Sequence, residues 1–347
     1  MKMWEYSLLQ SSRIDTLFWR TNMKIEENAV VYALSANVDL AKAVCECLGT
    51  KLGDVYLNRF PSKEVLACPN ETVRGKQVFI IQSTCPPVND NLMEVLVFID
   101  SLKRASAHEI NVIIPYFGYA RQDRKSKPRE PITAKLVADL LATAGANRVI
   151  TFDLHASQEQ GFFSCVEDDL SAIPLIGHVL FNDPFIDKKN TVVVSPDHGG
   201  VNRARKVAEK LNAPLAIIDK RRNNKYQPEV MNIIGEVNGK DCLIIDDMID
   251  TAGSAVAAAN ALKNNGAKRI IMAVTHPVLS DPAYDRLSQA KIFDRFYVTD
   301  SIPLDHRFVN SKEIPVQVIS LAPQIAAVID SINHDSSISD TTGMYKD

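Results

Sequence analysis

"CLIIDDMIDTAGS", residues Cys242–Ser254, runs four apolar residues into two adjacent carboxylates and then into Asp250-Thr251-Ala252-Gly253-Ser254. Neighbouring acids repel, so a buried strand that ends on them needs something positive or hydroxyl-rich to bind. In open α/β sheets ligands sit beyond the carboxyl ends of the strands. CLII supplies such an end, and a helix is expected to begin near Ala255. The small residues between them let backbone N–H groups point at an anion. Thr251 and Ser254 add hydroxyl donors, and the helix N-terminus adds a favourable dipole. The loop Asp250–Ser254 therefore reads as a phosphate cradle. Asp246 and Asp247 are acceptors suited to vicinal sugar hydroxyls, or to a metal bound with them. Phosphate plus diol points to a pentose phosphate. The competing structural reading is an acidic helix N-cap, but a cap needs one acid and this stretch has Asp246, Asp247 and Asp250. No Walker A loop or GxGxxG fingerprint opens a strand–helix turn here.

Short β-branched runs alternate with helical patterns on both sides of this stretch. VVYAL, QVFIIQS, NVIIPY, RVITFDL, TVVVSPD, LAIID, CLIIDD, RIIMAVT, FYVTD and PVQVISL read as strands covered on both faces. Helices are expected over Asn91–Arg104, Thr133–Ala144, Arg203–Leu211 and Ala255–Lys263. The alternation predicts an α/β fold with largely parallel sheets. "LKRASAHEI" (Leu102–Ile110) aligns with "LKNNGAKRI" (Leu262–Ile270), each between an upstream strand and helix and a downstream strand. Two copies of one βαβ unit account for this, and they differ where a ligand would sit. The first copy has Cys85-Pro86-Pro87-Val88-Asn89, and only the second has a ligand-type loop.

A chain of 347 residues is comfortable for two domains. It is 46% hydrophobic and 23% charged, as expected for a soluble globular protein. The net charge of -3 supplies no basic field for nucleic acid, and no apolar run is long enough to span a membrane. The six cysteines form no CxxC pair and read as reduced thiols in a cytoplasmic protein. Residues 1–23 have no long apolar core and read as a poorly ordered extension. The polar segment 336–347 reads as a tail.

Asp246–Ser254 resembles the phosphoribosyl-binding motif of type I phosphoribosyltransferases. "GYARQDRK", "REPITAKL", "DLHASQEQGFF", "SPDHGGVNRARK", "IIDKRR" and "THPVLS" occur in an order that resembles ribose-phosphate diphosphokinase, also called phosphoribosyl pyrophosphate synthetase, of the phosphate-regulated class. The resemblance runs from about Lys51 to Gly343. It implies two tandem type I phosphoribosyltransferase-like domains. The ATP side would be 24–172, with 305–335 packing back on it, and the ribose 5-phosphate side 173–304.

The resemblance also implies residue roles. Phe60, Ser62 and Glu64 would bind adenine across a subunit boundary, and Arg121 and Gln122 would bind ATP. His155 and Asp197 would serve magnesium, the expected cofactor. Lys220 and Arg222 would be catalytic on a loop that closes over the phosphates. Arg222, Asp246, Asp247, Asp250, Thr251, Ala252, Gly253 and Ser254 would hold ribose 5-phosphate. The reaction would transfer the diphosphoryl group of ATP to the anomeric hydroxyl, giving 5-phosphoribosyl 1-diphosphate and AMP for nucleotide biosynthesis. A hexameric homo-oligomer and phosphate or ADP as effectors are likewise implied, with no nucleic-acid or membrane partner.

The chain departs from the family in two places. The usual Arg-Phe-Ser-Asp-Gly-Glu is Arg59-Phe60-Pro61-Ser62-Lys63-Glu64, and the usual Gly-Asn pair is Leu34-Ser35. Serine in place of an aspartate acceptor is expected to weaken ATP selectivity. The departures also keep open a non-catalytic regulatory homologue, and beside it a salvage phosphoribosyltransferase that would share the pentose loop but not the ATP motifs.

Overall fold

The computed structural model describes residues 23–221 and 230–339. Arg222, most of the extension and the last eight residues of the tail lie outside the described residues. The first half runs β1 (Ala29–Ala33), α1 (Val38–Cys47), β2 (Val55–Arg59), β3 (Val65–Pro69), β4 (Gln77–Ile81), α2 (Val88–Arg104), β5 (Glu109–Ile114), α3 (Thr133–Ala144), β6 (Arg148–Phe152) and β7 (Val166–Leu170). The second runs α4 (Ile173–Asn182), β8 (Thr191–Ser195), α5 (Val201–Leu211), β9 (Leu215–Arg221), β10 (Val230–Ile234), β11 (Asp241–Ile249), α6 (Gly253–Asn264), β12 (Arg269–Pro277), α7 (Ala283–Ala290), β13 (Arg295–Thr299), a single turn α8 (His306–Val309), β14 (Val316–Ile319) and α9 (Ala322–Asn333).

Each half carries its own sheet. The first is parallel throughout, in the order β1-β4-β5-β6-β7. The second has the order β10-β9-β8-β11-β12-β13-β14 and is parallel except for the β10–β9 pair at its edge. The βα alternation dictates this, because a parallel neighbour requires a crossover helix. The aligned stretches occupy equivalent places. Leu102 closes α2 and Ile110 enters β5, while Leu262 closes α6 and Ile270 enters β12. Strands such as β8 are buried along their whole length.

One apolar cluster joins the two halves. Val31, Phe79 and Phe152 of the first sheet share it with Val193, Leu243 and Tyr297 of the second, and α1, α4, α5 and α9 fill the layer between. The apolar spacing dictates this packing: Leu40, Ala41, Val44 and Cys45 form one stripe of α1, and Ala204, Val207, Ala208 and Leu211 one stripe of α5. Met23 packs into the same cluster and so belongs to the fold rather than to an extension. Of segment 305–335, α9 lies against α1 while β14 stays in the second sheet. Among the described residues no helix is long and apolar enough to cross a membrane.

One expectation is revised, and three strands carry no clear signal in the sequence. β11 does not stop at the carboxylates but carries Asp246 and Asp247 within it, because β12 continues alongside and pairs Asp246 with Val274 and Ile249 with Pro277. The β2–β3 hairpin goes unrecognised in the sequence, as it has no buried alternation and joins neither large sheet. β7, "VEDDL", is masked by its acids; Arg148 pairs with Asp168, and Thr151 donates to Glu167 at 2.7 Å. The cysteines are free, and burial pushes the Cys242 thiol up to about 12.

The carboxyl ends of the two sheets meet at a polar joint. Thr275 Oγ1 donates to Asp153 Oδ2 at 2.6 Å, and the same carboxylate accepts from Ser171 Oγ and Ala172 N. His276, fully buried, lies 2.9 Å from the Phe152 carbonyl and 3.1 Å from Ser301 Oγ. Its Nε2–H donates to that carbonyl, and its Nδ1 faces the Ser301 hydroxyl, which donates to the Thr275 carbonyl at 2.9 Å. Burial lowers its pKa below the ordinary imidazole value. His276→Leu takes the imidazole donor from the Phe152 carbonyl and is expected to cost roughly 1–3 kcal/mol. The folded pKa is depressed, so the unfolded state binds more protons below about pH 6.5 and stability falls as the pH falls. Denaturation of both proteins at pH 5.5 and 7.5 should show a smaller pH difference in the variant.

Candidate active site at the joint between the sheets

The phosphate-type loop leaves β11 at this joint. Ala252 takes a left-handed conformation, φ 61°, as the N-cap of α6, which turns the chain from strand into helix. Thr251, Gly253 and Ser254 are exposed. The Thr251 and Ser254 hydroxyls make no hydrogen bond within the described residues, and the first-turn N–H groups of a helix have no intrahelical partner. The loop therefore presents free donors to solvent at a helix N-terminus.

Upstream, the two carboxylates are unequal. The Asp247 N–H donates to Asp246 Oδ1 at 2.9 Å. Burial, together with the neighbouring charge on Asp247, raises the Asp246 pKa well above the usual carboxylate range. Burial would raise Asp247 as well, but the hydrogen bond from His155 and the charge of Arg203 outweigh it and hold Asp247 well below that range. His155 Nδ1 lies 2.8 Å from Asp247 Oδ2, and this bond raises the imidazole pKa against the effect of burial. Arg203 of α5 stands 3.6 Å from Asp246 and 3.7 Å from Asp247. Arg203 lies in "SPDHGGVNRARK", and its one sign in the sequence is a cation on the helix that follows Asp197.

The first half reaches the same place. Arg121, past the end of β5, pairs with Asp250 at 2.8 Å. Gln122 beside it accepts from Thr133 Oγ1 at 2.6 Å. Asp197 follows β8, and its Oδ1 accepts the Gly200 N–H at 2.9 Å. Lys220 stands on β9 in register with Met231. Thus His155, Arg121, Asp246, Asp247 and Asp250 come together directly, through contacts between halves.

Phe60, Ser62 and Glu64 occupy the exposed turn of the β2–β3 hairpin. The Ser62 hydroxyl donates to Glu64 Oε2 at 2.6 Å, so its proton is already engaged. A buried carboxylate anchors the hairpin. Glu94 has no exposed surface, yet it pairs with Arg59 at the end of β2 and accepts from Ser35 Oγ at 2.6 Å and Gln82 Nε2 at 3.0 Å. The departure at Ser35 therefore has a structural partner.

No three His, Cys, Asp or Glu side chains among the described residues group as a metal cage. Magnesium does not require one, since it keeps several waters and takes one or two carboxylates plus substrate phosphates. Asp250 Oδ1 is buried without a hydrogen-bond partner, an oxygen left for a cation or a hydroxyl. The oxygen-rich donors here fit an ion that arrives with phosphate.

Two family profiles match the chain. "N-terminal domain of ribose phosphate pyrophosphokinase" covers residues 29–145, and "phosphoribosyl transferase domain" covers 175–310. A ribose-phosphate pyrophosphokinase of Fusobacterium nucleatum is 51% identical over 313 residues, 90% of this chain and 98% of that protein. One from Thermosipho africanus is 51% identical over 318 residues, 91% of this chain and 98% of its own. The crystal structure of phosphoribosylpyrophosphate synthetase from Mycobacterium smegmatis superposes with a TM-score of 0.82 at 39% identity, covering 89% of this chain and all of that one.

Glu94→Gln removes the buried charge beside Arg59 and leaves the guanidinium with Asp90 at 3.5 Å. The expected cost is roughly 1–3 kcal/mol, below the range for fully buried pairs because Arg59 is 35% exposed. Trypsin should then cleave after Lys63 faster than in the wild type, while the rest of the digestion pattern stays unchanged. Unaltered cleavage at Lys63 would mean that Glu94 does not anchor the hairpin.

Proposed function

The chain belongs to the ribose phosphate pyrophosphokinase family, and we propose that it transfers the diphosphoryl group of ATP to the anomeric hydroxyl of ribose 5-phosphate, releasing AMP. The observation that carries this reading is the 2.8 Å ion pair between Arg121 and Asp250. It brings the strand end assigned to ATP against the loop assigned to the pentose phosphate.

In this mechanism the Asp250–Ser254 loop binds the 5-phosphate through backbone N–H groups and the Thr251 and Ser254 hydroxyls. Asp247, kept ionised by His155 and Arg203, accepts from a ring hydroxyl, and Asp246 shares that task. Arg121 exchanges its hold on Asp250 for an ATP phosphate, and Gln122 meets the base with Phe60, Ser62 and Glu64 of a neighbouring subunit. The two substrates are thereby held with the anomeric oxygen facing the β-phosphorus, which removes much of the entropic barrier. Lys220 and Arg222 neutralise the charge that grows on the transferring group and on the departing AMP. Asp197 and His155 would hold magnesium, which would supply further charge neutralisation. No covalent nucleophile is needed. The protein works as a homo-oligomer in the cytoplasm, with phosphate and ADP as candidate effectors.

A salvage phosphoribosyltransferase would not need the N-terminal half, yet that half matches its own family profile. AMP release from ATP should depend strictly on added ribose 5-phosphate and on magnesium. Lys220→Ala should lower kcat by about a hundredfold or more and leave both KM values close to wild type. Full activity of that variant would remove Lys220 from the chemistry. A wild-type chain that is inactive alone but active when mixed with a related subunit would assign it a regulatory role.

A further inference from the structure

We propose that Arg286, on α7, is a binding residue for the phosphate of the sugar substrate; this rests on the assignment of the Asp250–Ser254 loop to ribose 5-phosphate. Arg286 Nη1 donates to the Thr251 carbonyl at 2.9 Å. The geometry around Gly253 places the guanidinium beside the mouth of the cradle. A Cβ built on Gly253 would sit 3.4 Å from Arg286 Nη1 and 4.0 Å from Thr251 Oγ1, so cation and hydroxyl flank one small volume. Gly253 has no positive φ, unlike Ala252 before it, so its missing side chain is a matter of space and not of backbone conformation.

Charge bookkeeping around the loop points the same way. A phosphate dianion entering here meets Asp246, Asp247 and Asp250. Arg203 already faces the first two, and Arg121 is paired with the third. Arg286 is exposed and has no carboxylate within ion-pair distance among the described residues. A guanidinium offers five N–H donors in a planar fork, and one bond to the Thr251 carbonyl leaves others for phosphate oxygens. The carbonyl contact fixes the fork in place, so little side-chain freedom is lost on binding. Sequence alone does not single out this residue: "AYDRLSQA" reads as an ordinary amphipathic helix, and α7 meets the loop only after β12 has crossed back.

The test is a set of three variants assayed for AMP formation, with ribose 5-phosphate binding followed in parallel by calorimetry. Arg286→Gln can keep a donor near Thr251 but loses the charge, Arg286→Lys keeps the charge without the fork, and Arg286→Ala loses both. Loss of one charge-assisted contact predicts a rise in KM and Kd for ribose 5-phosphate of about tenfold or more in the Gln and Ala variants. The Lys variant should fall between these and wild type, and kcat and the KM for ATP should stay within about twofold throughout. Wild-type affinity in Arg286→Gln would overturn the proposal and leave only a loop-holding role. A matching rise in the KM for ATP would overturn it too, as general damage. Because calorimetry reads sugar-phosphate binding without turnover, an enzyme that bound ribose 5-phosphate through Arg286 but formed no AMP would refute the reaction and keep the residue.

Discussion

The joint between the carboxyl ends of the two sheets is the constraint on which the rest of the molecule depends. The halves share one apolar layer, and the loops after the strands carry polar groups that face one another across the joint. Asp153 accepts from Ser171, Ala172 and Thr275, and His276 bridges Phe152 and Ser301. Asn37 Nδ2 donates to the Asp300 carbonyl at 2.8 Å, and Ser83 Oγ donates to the Ser301 carbonyl at 2.5 Å. A buried polar group left unpaired costs on the order of 1–3 kcal/mol, so these bonds together allow one orientation of the halves. The shared helical layer adds apolar burial, which is non-directional and could not select that orientation alone.

With the orientation set, the electrostatics of the site follow. His155 comes from the first half and Asp247 from the second, and their bond exists only because the joint holds β6 against β12. Asp247 stays ionised against burial through His155 and Arg203, and burial together with the Asp247 charge raises the pKa of Asp246. The pair is thereby split into one firm acceptor and one carboxyl that holds its proton more tightly, a division that two like acids on adjacent positions of a solvated strand would not show.

Much of this was legible in the sequence because the signals were local. The β-branched runs, the repeat at Leu102–Ile110 and Leu262–Ile270, and the acid-to-small-residue transition at Asp246–Ser254 each fit in one short window. What was not legible depends on partners distant in the chain. Arg203 and Arg286 take on meaning only when α5 folds back over β11 and α7 packs beside α6, next to the loop that follows β11. Glu94 sits in a helical pattern and gives no sign of burial until Arg59, Ser35 and Gln82 gather on it. β7 is acidic because Arg148 and Thr151 of β6 wait for it. β11 runs on through its carboxylates because β12 offers a ladder to that depth. In each case a tertiary contact overrides what the local residue types would suggest.

The two βαβ copies differ in what their first turns leave uncommitted. The turn after β4 is as polar as the one after β11, with Gln82, Ser83 and Thr84, but all three side chains are buried and committed. Gln82 accepts from Ala36 N and donates to Glu94, Ser83 donates across the joint, and Thr84 donates to the Tyr116 carbonyl and accepts from Gly118 N. Gly118 closes over that turn so tightly that a Cβ would lie 2.4 Å from the Thr84 carbonyl oxygen. The side chains of this turn are spent on the protein itself. After β11 the balance is reversed. The Thr251 and Ser254 hydroxyls are unspent, Asp250 Oδ1 is buried without a partner, and Gly253 leaves space beneath Arg286. One copy thus spends its turn on holding the halves in register, while the other leaves the hydroxyls of its turn uncommitted.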